Sequence, residues 1–146
     1  MDIIRRNTDY TLRAVVNLAE HYGKSSLSTR QIAIEGDISY QLTCKLMQKL
    51  LNSKLVCSSM GPKGGYRLAR KPSKINLLEL ITATQGPLRL NRCLLGVNRC
   101  PRRPKCMVAG KLAGLQKLIE KYLRGITLEQ IANIQSVKRR KDGQKL

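Results

Sequence analysis

The hydrophobic and polar positions of this 146-residue chain follow helical spacing from near the amino terminus. A first helix is predicted from about Asp9 to Tyr22, because apolar residues recur three and four positions apart. Thr8 is a suitable N-cap, and Gly23 is a suitable residue to end the helix. The apolar positions are Leu12, Val15, Val16 and Ala19.

Two further helices and a glycine-containing turn are predicted next. Ser28 and Gln31 have the spacing of a capping box, which opens a short helix through Glu35. The following helix starts at Ser39, after the turn at Gly36, and carries polar residues at its start. This order is that of a helix-turn-helix, whose second helix enters the major groove of DNA. The inward positions of that helix are Leu42, Leu46, Leu50 and Leu51.

A β-hairpin is predicted directly after the third helix. Two short β-prone runs, residues 55–58 and 66–68, flank a glycine-rich connection at 60–65. A hairpin attached to a helix-turn-helix is a wing. We expect its basic tip at Lys63 to reach backbone phosphates or a minor groove.

Two short helices are predicted in the carboxyl-terminal half from their capping residues. Asn76 and Glu79 form a capping-box pair, which opens a helix through about Thr84. Thr127 with Gln130 caps a final helix in the same way. The apolar residues of this final helix are Leu128, Ile131 and Ile134.

A long helix with a coiled-coil pattern is predicted after Cys106. A helix of about 17 residues is about 25 Å long, and so small a domain offers too little surface to bury its apolar line, so we expect a symmetric homodimer. The alternative is that these residues are core of their own domain. Gly110 and Gly114 indicate either a close approach between helices or a helix start that unfolds easily. The apolar line consists of Val108, Leu112, Leu115, Ile119 and Tyr122.

The predicted fold class is mainly α: a winged helix-turn-helix with a two-stranded β wing and a long carboxyl-terminal dimerisation helix. Residues 1–75 are the winged helix-turn-helix DNA-binding region in this interpretation. Residues 76–135 contain a helix, the cysteine loop and the dimerisation helix, and residues 136–146 are a basic disordered tail. A chain of this length folds as one domain without a disulfide scaffold.

The charge of the chain narrows the choice of partner. Twenty-eight basic against nine acidic residues give a formal net charge of +19, which favours a polyanionic partner. Duplex DNA is preferred over single strands because the chain has no Trp and no Phe for base stacking. No apolar run approaches the roughly 20 residues of a membrane-spanning helix, and a signal peptide is absent, so we expect a cytoplasmic protein with no membrane partner.

Candidate DNA contacts are the polar and basic side chains of the helix-turn-helix and the wing. Gln41 is suited to a base edge, whereas Lys45 and Lys49 are suited to phosphates. The alternative for each residue alone is a solvated helix face. The full set is Arg30, Ser39, Tyr40, Gln41, Thr43, Lys45, Lys49, Lys63 and Arg67.

Three cysteines, Cys93, Cys100 and Cys106, fall within fourteen residues that contain no acidic side chain. Surrounding arginines and lysines stabilise thiolates, so the pattern is typical of a soft-metal or iron–sulfur site. Zinc is an alternative, although it normally takes four protein ligands, and a cysteine-only redox switch or spare thiols are others. Cys44 and Cys57 are interpreted as packing residues.

The ordered motifs resemble those of the Rrf2 superfamily of winged-helix regulators. The resemblance implies a homodimer that binds a palindromic operator through the third helix and the wing. It also implies an iron–sulfur cluster, either 2Fe-2S or 4Fe-4S, held by the three cysteines near the dimer interface. The matching stretches are residues 7–14, 32–39, 61–69 and 75–77 together with the three cysteines.

Two departures from the family pattern limit this transfer. Met60 stands where relatives often carry an arginine before the first wing glycine. Six residues separate Cys93 from Cys100, where the more usual gap is five. In addition, the histidine ligand that relatives carry shortly after the third cysteine has no counterpart, because residues 107–119 contain no His, Asp or Glu. The resemblance offers Asp9 of the partner subunit as a fourth ligand; an acid in the first helical turn also simply favours the helix dipole. His21 is interpreted as a solvated or capping residue.

The leading hypothesis is a dimeric transcriptional regulator whose operator binding responds to an iron–sulfur cluster through iron–sulfur status, nitric oxide or redox conditions. The alternative is a non-sensing basic protein associated with the nucleoid or the ribosome, with zinc-bound or free cysteines. A thiol enzyme is disfavoured because the chain has one His and no evident nucleophile–base pair.

Overall fold

A computed structural model describes residues 2–91, 94 and 100–133 of the chain. Cys93, Ile134 and the predicted tail 136–146 lie outside the described residues. The described elements are α1 (Arg6–Glu20), α2 (Thr29–Gly36), α3 (Tyr40–Asn52), β1 (Val56–Ser59), β2 (Gly65–Leu68), α4 (Leu77–Gln85), α5 (Met107–Arg124) and α6, which is helical over 128–133. The predicted fold class, a mainly α winged helix-turn-helix, is confirmed by this order and by the antiparallel β1–β2 pair.

The three predicted capping boxes are all present. In each, the side chain of the N-cap residue accepts a hydrogen bond from the main-chain N–H of the third helical residue, whose own side chain accepts one from the N-cap N–H. These bonds satisfy donors that a helix start leaves unpaired. The pairs are Ser28 with Gln31, Asn76 with Glu79, and Thr127 with Gln130.

The predicted start of α1 is wrong. The helix begins at Arg6, and Arg5 takes the N-cap position without a side-chain cap. Thr8 is fully buried, and its hydroxyl donates to Oε1 of Gln85 at 2.7 Å. This bond joins α1 to the end of α4, so Thr8 serves tertiary packing instead of capping its own helix.

The hydrophobic core surrounds α1, which packs against α2, α3, α4 and β2. A second, smaller cluster joins α4 to α5 through Ile81, Leu88 and Leu123. Among the described residues, no helix is long and apolar enough to cross a membrane. The largest buried side chains of the main core are Leu18, Ile32, Met47, Leu50, Ile75, Leu80 and Leu128.

Two isolated bridges fix the wing and α6 to the rest of the fold. Leu27 pairs with Tyr66, so the connection between α1 and α2 extends the wing sheet by one residue. Asn76 pairs with Thr127, which brings the start of α6 against the start of α4. Both contacts join residues far apart in sequence, and the local pattern gave no signal for either.

Candidate nucleic-acid interface and cysteine segment

The helix-turn-helix is built from α2, a tight turn and α3. Asp37 adopts a left-handed conformation with φ 51° and its N–H bonds back to α2, which ends the helix sharply. Ile38 is buried and anchors the turn. Ser39 then caps α3 by accepting from the N–H of Leu42 at 3.3 Å. The first turn of α3 is thereby held at the protein surface.

Four of the predicted DNA contacts on α3 are exposed, and the fourth, Lys49, is described below. Tyr40, Gln41 and Lys45 are exposed, and Ser39 beside them is exposed as well. Tyr40 keeps 57% of its surface accessible, although it is a large ring. Arg30, on α2, is also exposed. A polar helix end of this kind has the geometry of a recognition helix.

Thr43 does not lie on this exposed side, and its assignment as a DNA contact is corrected. It is fully buried, and its hydroxyl donates to the carbonyl of Ser39 at 2.9 Å. Lys49 is exposed like Lys45, but its ammonium also has a partner within the protein. Its Nζ donates to the main-chain oxygen of Thr84 at 3.0 Å, which directs the ammonium toward the end of α4. A phosphate role for Lys49 would require this ammonium to serve two partners.

The wing is a short antiparallel hairpin with a firmly placed base. Val56 pairs with Leu68, and both are buried, whereas Arg67 on the opposite face is exposed. At the tip, Lys63 is exposed and Met60 is 99% exposed. The wing therefore presents two cations and one unusually bare apolar side chain to solvent.

An open groove of about 980 Å³ lies between the wing and the connection from α1 to α2. Its lining includes Lys63 and Arg67 from the wing and Lys24 from the connection. Lys24 was missed as a candidate by the sequence interpretation. The signal was a basic residue beside Gly23, but only the Leu27–Tyr66 bridge brings that connection next to the wing.

The cysteine segment is defined as residues 87–106, of which Cys100 and Cys106 are described. Both thiols are free and half-buried. Successive turns connect them, since the N–H of Arg103 donates to the carbonyl of Cys100 and the N–H of Cys106 donates to the carbonyl of Arg103, each at 3.2 Å. Cys106 occupies the N-cap position of α5, where unpaired N–H groups favour an anionic ligand.

The other candidate ligands are dispersed in this single chain. Within the described ranges, no group of three or more His, Cys, Asp or Glu side chains is arranged to hold a metal ion. Asp9 is exposed and forms an ion pair with Arg13 at 3.1 Å. His21 contacts the carbonyl of Asn17 through Nδ1 at 2.9 Å, in keeping with its interpretation as a solvated or capping residue.

Helix α5 has two apolar faces. Ala109 and Leu123 are buried against the domain, and Ile119 packs on the second cluster. The opposite face leaves several large apolar side chains exposed, and Leu118 is one that the coiled-coil line did not include. The exposed set is Met107, Val108, Leu115, Leu118 and Tyr122, while Leu112 is half-buried.

Comparison with known proteins decides the family. Residues 4–134 match the sequence model of Rrf2, described as an iron-dependent transcriptional regulator. The chain belongs to the Rrf2 family. Like its Rrf2 relatives, it is a DNA-binding transcriptional regulator and not an enzyme.

Rrf2 proteins with similar sequences include two named regulators. The chain is 32% identical to the HTH-type transcriptional regulator NsrR of Shouchella clausii over 120 residues, which cover 79% of this chain and 80% of that protein. It is 28% identical to the HTH-type transcriptional regulator IscR of Sodalis glossinidius over 128 residues, which cover 88% and 77%.

Solved Rrf2-type structures share the fold. IscR of T. potens superimposes with a TM-score of 0.71 at 26% identity, covering 89% of this chain and 85% of that one. CymR, the global cysteine regulator of B. subtilis, superimposes with a TM-score of 0.73 at 24% identity, covering 92% and 98%. The second likeness concerns the fold alone.

Proposed function

We propose that the protein is a cytoplasmic homodimeric transcriptional regulator whose binding to a palindromic operator responds to an iron–sulfur cluster held by its cysteines. The single observation that carries the proposal is the position of the cysteine segment, which follows α4, a helix packed against α1 and α3, and precedes the two-faced helix α5. A change in that segment acts on both at once.

Operator recognition is assigned to α3 and the wing. Gln41 presents an amide that matches the donor–acceptor pattern of adenine in the major groove. Lys45, Lys63 and Arg67 are exposed cations that would neutralise phosphates on either side. The net charge of +19 supports a large electrostatic contribution to affinity.

Homodimerisation is assigned to the outer face of α5. Leu118 is 67% exposed and Tyr122 is 71% exposed, and burying such side chains against a second copy removes a large apolar area from water. A two-fold dimer presents two recognition helices, so the operator should contain two half-sites roughly 34 Å apart.

The donor set near the start of α5 suits an iron–sulfur cluster. Cys100 and Cys106 are free thiols, half-buried and flanked by Arg102, Arg103 and Lys105, whose charge offsets that of thiolate ligands. Cys93 would be the third ligand. When bound, the group supplies a centre that reacts to iron supply, oxidants or nitric oxide.

A fourth ligand supplied by the protein would come from outside this segment, and the partner subunit's Asp9 is the candidate. Its carboxylate is 59% exposed, so a second subunit has access to it, but it would have to leave Arg13. Ligand exchange of this kind would make cluster binding depend on dimer geometry. A cluster completed by Asp9 would suit the 4Fe-4S type, and 2Fe-2S is the other type considered.

Anaerobic purification and reconstitution test the cluster assignment. We expect iron and acid-labile sulfide in stoichiometric amounts, a visible absorbance band, and loss of all three after Cys100→Ser and Cys106→Ser substitution. Cys44→Ser is the matched control, because Cys44 lies on α3, and it should retain iron and colour. Wild-type protein that remains colourless and free of iron and sulfide would refute the cluster. Operator binding by the same protein would separately test whether it is a DNA-binding regulator.

A further inference from the structure

Lys49 makes a contact that a phosphate-binding residue does not need. It lies in the last two turns of α3, and its Nζ donates to the main-chain oxygen of Thr84, 35 positions further along the chain. Thr84 belongs to the last turn of α4, where carbonyl groups lack helical partners. Lys49 therefore caps the carboxyl end of α4, the end that attracts positive charge.

The next residue, Gln85, holds the amino-terminal segment to the same end of α4. Its Oε1 accepts from the N–H of Arg5 at 2.9 Å and from the hydroxyl of Thr8 at 2.7 Å. Its Nε2 donates to the carbonyl of Ile3 at 2.8 Å. Three main-chain or buried groups of the amino-terminal segment thus depend on one side chain at the end of α4.

The cysteine segment starts immediately after this point. Gly86 has φ 84° and turns the chain out of α4. Leu88 is buried in the second cluster, and the N–H of Leu90 donates to Oε1 of Gln116 on α5 at 3.3 Å. Arg89 pairs with Glu120 at 3.7 Å. The end of α4 is therefore joined to α3, to the amino terminus and to α5.

We infer that Lys49 is a positioning residue that couples the cysteine segment to the recognition helix through the main-chain oxygen of Thr84. The inference rests on the proposed sensing function, which it extends from the cysteines to the DNA face. A rearrangement in the cysteine segment that displaces the end of α4 changes the Lys49–Thr84 bond, because such bonds weaken steeply with distance and angle. The orientation of α3 then differs between the protein with and without the cluster. Operator affinity differs between these two states for that reason.

A positioning role and a phosphate contact for Lys49 predict different salt dependences of operator affinity. Removing a phosphate contact reduces the slope of log affinity against log salt by about 0.9, because one fewer counterion is released. Removing a positioning contact leaves that slope unchanged and reduces the difference in operator affinity between the protein with and without the cluster. Lys45 is the matched control, because it carries the same charge and is exposed on the same helix.

The experiment compares Lys49→Met and Lys45→Met with wild type by fluorescence anisotropy on the operator at several salt concentrations. Each protein is measured after cluster reconstitution and after cluster removal under anaerobic conditions. We expect a wild-type affinity ratio between the two states of about 5-fold or more, as for typical allosteric coupling. In Lys49→Met this ratio should fall to about 2 or less, while the slope of log affinity against log salt stays unchanged. Lys45→Met should keep the ratio and lose about 0.9 of slope.

Hydrogen exchange on the wild-type protein provides a test that needs no variant to fold. Cluster removal should change exchange at the end of α4 and in α3 together, and a change confined to the cysteine segment overturns the inference. A wild-type ratio that persists in Lys49→Met, or a slope loss in that variant equal to that of Lys45→Met, also overturns it. A wild-type ratio of one refutes the sensing function as well, so the two failures are distinguishable.

Discussion

At the scale of single residues, α3 divides its polar side chains between two tasks. Gln41 and Lys45 point to solvent, where DNA can reach them. Thr43 is buried and bonds to Ser39, and Lys49, although exposed, bonds to the main chain at Thr84. The amino-acid type does not distinguish the two groups, because hydroxyl and ammonium groups serve DNA and protein carbonyls equally well.

Gln41→Ala should reduce sequence discrimination and leave non-specific affinity almost unchanged. A bidentate amide–adenine contact is worth about 1–3 kcal/mol of discrimination, so the ratio of affinities for operator and scrambled duplex should fall about 5-fold to 150-fold. Competition binding at fixed salt measures this ratio.

Gln48→Ala is the matched control for that measurement. Gln48 is an exposed glutamine of the same helix, placed further from its amino end and bonded to Asn52 at 3.2 Å. Its loss should leave the ratio unaltered. Equal discrimination by wild type and Gln41→Ala would remove Gln41 from the recognition surface.

At the scale of elements, the wing depends on how closely its second strand approaches the α1–α2 connection. Leu27 and Tyr66 exchange two main-chain hydrogen bonds, of 2.9 and 2.7 Å. Gly65, beside Tyr66, has φ 142°, and a Cβ at this position would overlap the carbonyl of Leu27. A side chain here would separate the strand from its support.

Gly65→Ala should therefore lower the free energy of unfolding by about 2 kcal/mol or more, because backbone strain and a collision with main chain act together. Gly61→Ala is the control, since Gly61 also has positive φ, at 102°, but an added Cβ meets nothing within 4 Å. Urea denaturation at fixed protein concentration compares the two. Equal losses in both variants would mean that strain alone matters and that the wing tolerates displacement from Leu27.

At the scale of the whole molecule, α5 carries an exposed apolar face that supports the proposed homodimer. One face of the helix closes the second cluster, and the other leaves Leu115, Leu118 and Tyr122 exposed. Within the described part of the chain, an added Cβ at Gly110 or Gly114 meets nothing within 4 Å, so the helix surface there is open. In the proposed homodimer, a second copy of the helix would cover this face.

Leu118→Lys combined with Tyr122→Lys should convert the protein to a monomer. Each change replaces apolar burial with a charge in both copies, which costs at least about 3 kcal/mol and raises the dimer dissociation constant about 100-fold or more. Sedimentation velocity measures the mass, and operator affinity should fall because the half-sites are no longer bound together. Lys117→Ala, an exposed neighbour on the same helix, should stay dimeric. A double variant that keeps the wild-type mass would place the interface elsewhere.

The sequence alone determined the features that depend on residues close together in the chain. The capping boxes at Ser28, Asn76 and Thr127 were predicted correctly, because cap and partner lie three residues apart and their pairing needs no tertiary contact. The hairpin and the order of helices followed from β-propensity, glycine placement and helical periodicity in the same way.

Only the tertiary structure decided where ambiguous side chains point. Thr8 bonds to Gln85, which lies 77 positions away, and Lys49 bonds to Thr84. In α5, Ile119 packs partly against its own domain, whereas Leu118 is exposed. A four-three repeat does not specify this rotation of the helix about its axis. The physical reason is common to these cases: a local pattern fixes which helix forms, whereas the partner of each side chain depends on how distant elements pack against it.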